Sequence, residues 1–268
     1  MPADDVPPCL VDLPTPTSID WPALLTRLTR WGGLLVLRQH TFMSDAAAFG
    51  AFEYELECDL IELLQAQFGD VSVLAEETFH RTGRPVGTPG RLQLVLDPVD
   101  GSRSYADGST TYAITLAALL DGRPLFGLVH HPAEQVTYAA ARGLGAYRGI
   151  RRLESRPTGS RRVAIRQRDM TGSMALAAEK LIRHGYVIEG MACTSLKLCW
   201  IVDGRIAGLV KPVTERNGIL STWGLAAGQL ITEETGYPVS SLDGSPWEWA
   251  PGEIVIGDAG FRSALGLH

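Results

Sequence analysis

The stretch Leu94-Val95-Leu96-Asp97-Pro98-Val99-Asp100-Gly101-Ser102 runs an apolar segment straight into two carboxylates, with Pro98 and Gly101 turning the chain and a hydroxyl following at Ser102. A strand that ends in such a turn projects Asp97 and Asp100 from one edge of a sheet, where oxygen ligands hold a hard divalent cation. Ser102 is then placed to orient a water. Read alone, the same residues also make an ordinary surface turn, because Asp, Pro, Gly and Ser are all turn formers. The segment upstream decides between the two readings. Val71-Ser72-Val73-Leu74-Ala75 reads as a second buried strand and ends in Glu76-Glu77, so carboxylates stand at the exits of two consecutive strands. Ligands of open α/β sheets collect at strand ends.

Composition bounds what can be built around that cluster. A chain of 268 residues, 45% hydrophobic and 20% charged, buries a large core as one α/β unit or two closely packed lobes. The formal charge of -6 gives no support for binding a nucleic-acid polymer, so an anionic substrate has to meet local cations. Cys9, Cys58, Cys193 and Cys199 show no C-x-x-C spacing and read as reduced, buried thiols of a cytoplasmic protein. No apolar run reaches the length of a membrane span, and the Pro-rich start Met1 to Pro16 lacks the basic and apolar regions of a signal peptide. No membrane partner is expected.

Periodicity places a helix from Ser18, as N-cap, to near Gln39, and a second from Ser44, as N-cap, to about Phe68. The second carries Glu53 and Glu57 on one face. His80 to Gly90 reads as a loop positioned to cover the site. Strands follow at 112–120 and 124–130, joined by the hairpin signal Asp121-Gly122, and at 135–139 and 145–147. The basic run Arg151 to Arg162 reads as a solvated linker and gives the best boundary. It divides the chain into a Pro-rich arm (1–17), an α+β lobe with the acids (18–155) and a C-terminal α/β lobe that completes the substrate site (156–268). The latter alternates strand 163–166, helices 172–184 and 195–202, strand 205–210, helix 222–234 and strand 254–256. His130-His131, without partnered His or Cys spacing, read as structural, and Trp223 reads as core.

Leu74-Ala75-Glu76-Glu77, Asp97-Pro98-Val99-Asp100-Gly101-Ser102 and Trp223-Gly224-Leu225-Ala226-Ala227-Gly228 resemble, in order and separation, the three signature blocks of the inositol monophosphatase superfamily. That superfamily includes inositol monophosphatases, fructose bisphosphatases and 3'(2'),5'-bisphosphate nucleotidases. The resemblance runs from about Trp21 to near the C-terminus. It implies a layered α-β-α-β-α sandwich with the site between two lobes, often as a homodimer. It further implies magnesium-dependent hydrolysis of a phosphate monoester of a small metabolite (nucleotide, inositol or sugar phosphate) by a metal-activated water. Carried onto this chain, magnesium falls to Glu76, Asp97, the Val99 carbonyl and Asp100. Ser102 orients the water where Thr is usual, and Glu53 assists Ser102, so Glu53, Glu76 and Ser102 form the catalytic set. Substrate contacts fall to Asp100, Gly101 and Ser102, to Cys193 and Thr194 at a helix N-terminus, and to Lys197 and Lys211. Ser195-Leu196-Lys197-Leu198-Cys199 is most similar to the bisphosphate nucleotidases. Glu215, Arg216 and Asn217 occupy the region where relatives recognise substrate.

One departure stands out. The third block of the family reads Trp-Asp, and that Asp completes a second metal site; here the position is Gly224. One magnesium site is therefore expected intact and a second weakened. Ala192-Cys193-Thr194-Ser195 and Gly50-Ala51-Phe52-Glu53 also depart from the family pattern. Two alternatives to the phosphatase stand beside it: altered chemistry on a phosphorylated biosynthetic intermediate, for which Gly224 makes room, and a non-catalytic phosphate-ligand-binding protein. Retention of Glu53, Glu76, Asp97, Asp100 and Ser102 weighs against the last, since buried like charges are costly to keep.

Overall fold

Two sheets, separated by a layer of helices, organise the chain; the computed structural model describes residues 5–13, 19–156 and 159–267. The first sheet has seven strands in chain order: β1 (Ser72–Ala75), β2 (Leu92–Asp100), β3 (Ala113–Leu120), β4 (Arg123–His131), β5 (Val136–Ala141), β6 (Gly145–Arg148) and β7 (Arg151–Arg152). β1 lies parallel to β2. From β2 onward the sheet is an antiparallel meander.

The second sheet is mixed. It is built from β8 (Arg162–Ala164), β9 (Val187–Glu189), β10 (Gly208–Val213), β13 (Val239–Ser241) and β14 (Gly252–Gly257), in the order β13-β14-β10-β8-β9. A separate hairpin, β11 (Glu215–Arg216) and β12 (Ile219–Leu220), turns at Asn217 and Gly218, both with positive φ.

Helices α1 (Pro8–Val11), α2 (Trp21–Phe42) and α3 (Ala46–Phe68) cover the outer face of the first sheet. α4 (Glu76–Thr82) and α5 (Ser102–Ala106) are short and follow the two acid-bearing strands. α6 (Gly172–Arg183) and α9 (Ala259–Leu265) cover the outer face of the second sheet, while α7 (Thr194–Val202) and α8 (Ala226–Glu234) fill the space between the sheets. The order of layers is α-β-α-β-α, as the resemblance implies. Three apolar clusters correspond to the three helix layers.

The sequence explains this stacking locally. In α2, Leu24, Leu28, Trp31 and Leu35 recur every three or four residues and are buried, so one stripe faces the sheet. The small residues of the third block serve contact rather than chemistry. A Cβ at Gly127 on β4 would stand 2.7 Å from the Ala227 Cα, and one at Gly228 would stand 2.7 Å from the Leu198 side chain. Only glycine lets α8 approach both β4 and α7 so closely.

Several local expectations need correction. Asp45, not Ser44, caps α3, accepting the Ala48 N–H at 2.9 Å, and α2 runs on to Phe42. Asp20 caps α2 through the Ala23 N–H, also at 2.9 Å; the expected cap Ser18 lies outside the described residues. Carboxylates win both caps by accepting as charged groups at the positive helix end. The loop expected from His80 begins instead as the last turn of α4. Within the Pro-rich start, Val6, Cys9, Leu10 and Leu13 are buried, and α1 packs on β5 and β6.

Candidate active site

The parallel register of β1 on β2 creates the acid pair. Ala75 is aligned with Leu96, so the next residues along, Glu76 and Asp97, leave the sheet side by side. Their carboxyls are hydrogen-bonded to each other, and Asp97 Oδ1 also accepts the Val99 N–H at 3.0 Å. Burial and mutual repulsion push both acids up, Glu76 to about 7 and Asp97 well above the ordinary range. Two adjacent negative charges are therefore costly here near neutrality.

Glu76 opens α4, whose N-cap residue Ala75 offers no side chain to the first N–H groups. Glu57 supplies the cap from α3. Fully buried, its carboxylate accepts the Glu77 N–H at 2.8 Å, the Thr78 N–H at 2.7 Å and the Thr78 hydroxyl at 2.6 Å. Glu53, one turn earlier, is buried without such partners, and burial together with Glu77, Glu76 and Glu57 pushes it up to about 9. Among the described residues no hydrogen bond joins Glu53 to Ser102. Ser102 begins α5 directly after Gly101, whose φ of 94° only glycine adopts freely.

Asp100 is turned away from this pair. The β2–β3 register slips between Asp97 and Asp100, and the bulge aims Asp100 at the N-terminus of α7. There its Oδ1 accepts the Thr194 N–H at 3.2 Å, and its Oδ2 accepts the Ser195 N–H at 2.6 Å and the Cys193 thiol at 3.3 Å. The helix end that sequence reading offers to a substrate anion is thus capped by the chain's own carboxylate. Gly224 leaves room for this arrangement: a Cβ there would stand 3.0 Å from the Asp100 Cγ and Oδ1, so the carboxylate would have to shift by a few tenths of an ångström.

A cavity of about 690 Å³ opens over these groups. Glu76, Asp97, Val99, Asp100, Gly101, Ser102, Thr194 and Lys211 line it, as do Gly224, Trp223 and His80. Lys211, Arg166 and Arg168 line the same cavity as the acids. Arg166 donates to the Ala192 carbonyl at 3.2 Å and Lys211 to the Pro212 carbonyl at 3.2 Å, which fixes them in the wall. Burial and neighbouring Arg166 lower Lys211 from the ordinary lysine range.

Three expected site residues lie behind the wall rather than on it. Lys197 is 3% exposed; its ammonium donates to the Met191 carbonyl at 3.0 Å and so pins the loop 190–192, and burial lowers it to about 8. Cys193 is buried beneath Asp100. Glu53 also does not reach the cavity surface. Glu215, Arg216 and Asn217 fall in the exposed hairpin β11–β12 outside the lining, although Thr214 and Ser221 at its base line the cavity.

Sequence reading missed Glu57, Arg166 and Arg168. For Glu57 the signal was present: an acid on an otherwise apolar helix face, one turn from Glu53. Arg166 and Arg168 follow the end of β8 just as Glu76 follows the end of β1.

The donor set fits one hard cation. Glu76 and Asp97 converge within hydrogen-bonding reach of each other, and Val99 lines the same cavity. Asp100 is not part of that set as it stands, and among the described residues no three His, Cys, Asp or Glu side chains form a closed metal cluster.

The sequence pattern of the inositol monophosphatase family matches residues 44–265, most of the chain. The chain belongs to the inositol monophosphatase family. Relatives in it include an inositol-1-monophosphatase of Rhizobium meliloti, 30% identical over 189 residues, covering 67% of this chain and 68% of that protein. The 3'(2'),5'-bisphosphate nucleotidase CysQ of Escherichia coli K12 is 26% identical over 202 residues (73% and 76%). Nus factor SuhB of Haemophilus influenzae is 25% identical over 208 residues (74% and 73%). Among solved structures, the inositol monophosphatase of Anabaena aligns with a TM-score of 0.70 at 22% identity over 92% of this chain and 95% of that one. Inositol monophosphatase membership supports a phosphatase-type enzyme, with the fold shared by these structures.

Proposed function

We propose that the chain is a magnesium-dependent phosphatase acting on a phosphate monoester of a small metabolite, in the class of nucleotide, inositol and sugar phosphates. The observation that carries this reading is that the Glu76–Asp97 pair and the cations Lys211, Arg166 and Arg168 line one cavity. Glu76, Asp97 and Val99 would hold the magnesium, which when bound supplies positive charge to a phosphoryl group and acidifies a water. Lys211, Arg166 and Arg168 bind the phosphate and neutralise its charge, as fixed cations do in phosphoryl transfer. The Ser102 hydroxyl, at the cavity floor beside Asp100 in sequence, orients the water. Glu57 positions Glu76 by holding the start of α4.

The engagement of Asp100 by α7 favours, as a second reading, the same scaffold with altered chemistry, since it leaves the second-cation side without a free carboxylate. Four cysteines without disulfide partners suit a cytoplasmic location. Among the described residues no helix is long and apolar enough to cross a membrane.

The test is phosphate release from nucleotide, inositol and sugar monophosphates and from nucleoside bisphosphates, with magnesium or with EDTA. Magnesium-dependent release from one class, lowered at least 100-fold by Asp97→Asn, is expected. Release from none of the classes by a folded, magnesium-supplied protein overturns the reading.

A further inference from the structure

A second cavity, of about 700 Å³, lies in the C-terminal half and shares no lining residue with the first. The two occupy opposite ends of the same strands. Arg166 and Arg168 follow β8 and Met191 follows β9 on the acid side, whereas Ser160 and Arg161 precede β8 and Tyr186 precedes β9 on the other.

The lining combines an apolar wall with guanidinium groups. Tyr186, Tyr237, Pro238 and Leu267 supply the apolar part; Arg156, Arg161 and Arg262 supply the charge. The acid among the lining residues is Asp258, which caps α9 by accepting the Phe261 N–H at 2.9 Å. In a chain of net charge -6, this spot is therefore locally positive.

Arg262 is the decisive group. It is only 7% exposed, yet among the described residues no carboxylate pairs with it: its Nη1 donates to the Ser240 hydroxyl at 3.0 Å, and its other N–H groups have no protein acceptor there. Burial alone acts on its titration, pushing it below the ordinary arginine range. An arginine is seldom buried without a carboxylate or phosphate to accept its forked N–H groups. Arg161 stands over the Tyr186 ring at 5.0 Å, which holds a second guanidinium at the rim of the same cavity.

We propose that this cavity is a binding site for a small organic anion, whose carboxylate or phosphate meets Arg262 and Arg161 and whose apolar or aromatic body lies along Tyr186, Tyr237, Pro238 and Leu267. Its volume is that of an ordinary small-molecule site. It is separate from the acid cavity and needs no cation.

The test is calorimetric titration of the full chain in EDTA with phenyl phosphate and, separately, with benzoate. Binding of either is expected, at least tenfold weaker in Arg262→Gln and in Arg161→Ala. The arm that binds identifies the anion as phosphate, carboxylate or both. Arg161 is exposed, so its variant remains informative should Arg262→Gln unfold on thermal melting. Absence of binding by the wild-type chain, or binding that Arg161→Ala leaves unchanged, overturns the proposal. Because divalent cations are chelated throughout, the result is independent of phosphatase activity.

Discussion

Asp100 Oδ2 accepts the Ser195 N–H at 2.6 Å, joining residues 95 positions apart in sequence. The carboxylate that follows the acid-bearing strand thereby serves as the N-cap of α7, and it lies against Gly224, where a side chain would have stood. With no side chain at 224, nothing presses the Asp100 carboxylate out of this arrangement.

Gly224→Asp should reverse it. The new Cβ would press on the Asp100 carboxylate and the added charge would repel it, so Asp100 is driven from α7 toward Glu76 and Asp97. Loss of the cap should cost the metal-free protein about 1–2 kcal/mol, while manganese binding tightens as a further carboxylate becomes available. Thermal melting in EDTA and manganese calorimetry report the two effects. Unaltered melting together with unaltered manganese affinity would show that Asp100 does not choose between these partners.

Glu53 and Glu57 share one buried helix face but should respond oppositely to amidation. Glu53 is held above its unfolded value, to about 9, so the unfolded chain releases its proton first and folding stability falls as pH rises from about 4.5 toward 9. Glu53→Gln removes that penalty and should stabilise the protein at pH 7 by up to about 3 kcal/mol. Glu57→Gln leaves α4 with weaker acceptors and should destabilise by about 1–3 kcal/mol. Urea unfolding of both variants at pH 6 and pH 8 decides; a stabilising effect of Glu53→Gln that shrinks with rising pH contradicts the assignment.

Cation binding should expel a proton from the Glu76–Asp97 pair. Glu76 is held at about 7 and Asp97 is pushed up as well, so a divalent ion competes with protons for the pair on both sides of neutrality. Manganese affinity should rise by at least about tenfold per pH unit between roughly pH 5.5 and 7 and go on rising above it. Titration in buffers of different ionisation enthalpy counts the protons released. Affinity independent of pH over that range would rule out the shared proton.

His130 should impose the opposite pH trend. Its ring is buried beneath α2, where a Cβ at Gly32 would stand 2.5 Å from Nε2, and its Nδ1 lies 3.0 Å from the Thr137 hydroxyl. Burial lowers the ring to about 4, so the unfolded chain takes up its proton first as pH falls below about 6.5. The stability this group contributes is complete above 6.5 and lost progressively down to about 4. Relative to wild type, His130→Gln should therefore gain about 2 kcal/mol between pH 7.5 and pH 5. A variant whose stability difference from wild type is constant over that interval would refute it.

The acid edge was legible because strand and turn chemistry are local: Leu94 to Ser102 states its own geometry. Pairing was not. That β1 lies parallel to β2, which sets Glu76 beside Asp97, depends on a chain reversal through α4 and the loop after it that no short pattern encodes. The same holds for caps drawn from afar, as Glu57 serves α4 and Asp100 serves α7. Lys197 misled because Ser195 to Cys199 carries the composition of a ligand-binding segment, whereas its helix is buried on nearly every side and turns the ammonium to a carbonyl behind the wall. Arg166 and Arg168 reached the cavity through a strand end whose partner strands lie far away in sequence.

The close seating of Gly127 on Ala227 and of Gly228 on Leu198 has a consequence for selectivity. Helices α7 and α8 are clamped between the sheets, so the spacing of the acid edge from the cationic strand ends is set by how closely these helices seat. The molecule works as a fixed gauge rather than a jaw. On the proposed phosphatase reading, the phosphate has to fit between the acid edge and the cations. Enlarging any of these small residues would reset the gauge without touching a single group that meets the ligand.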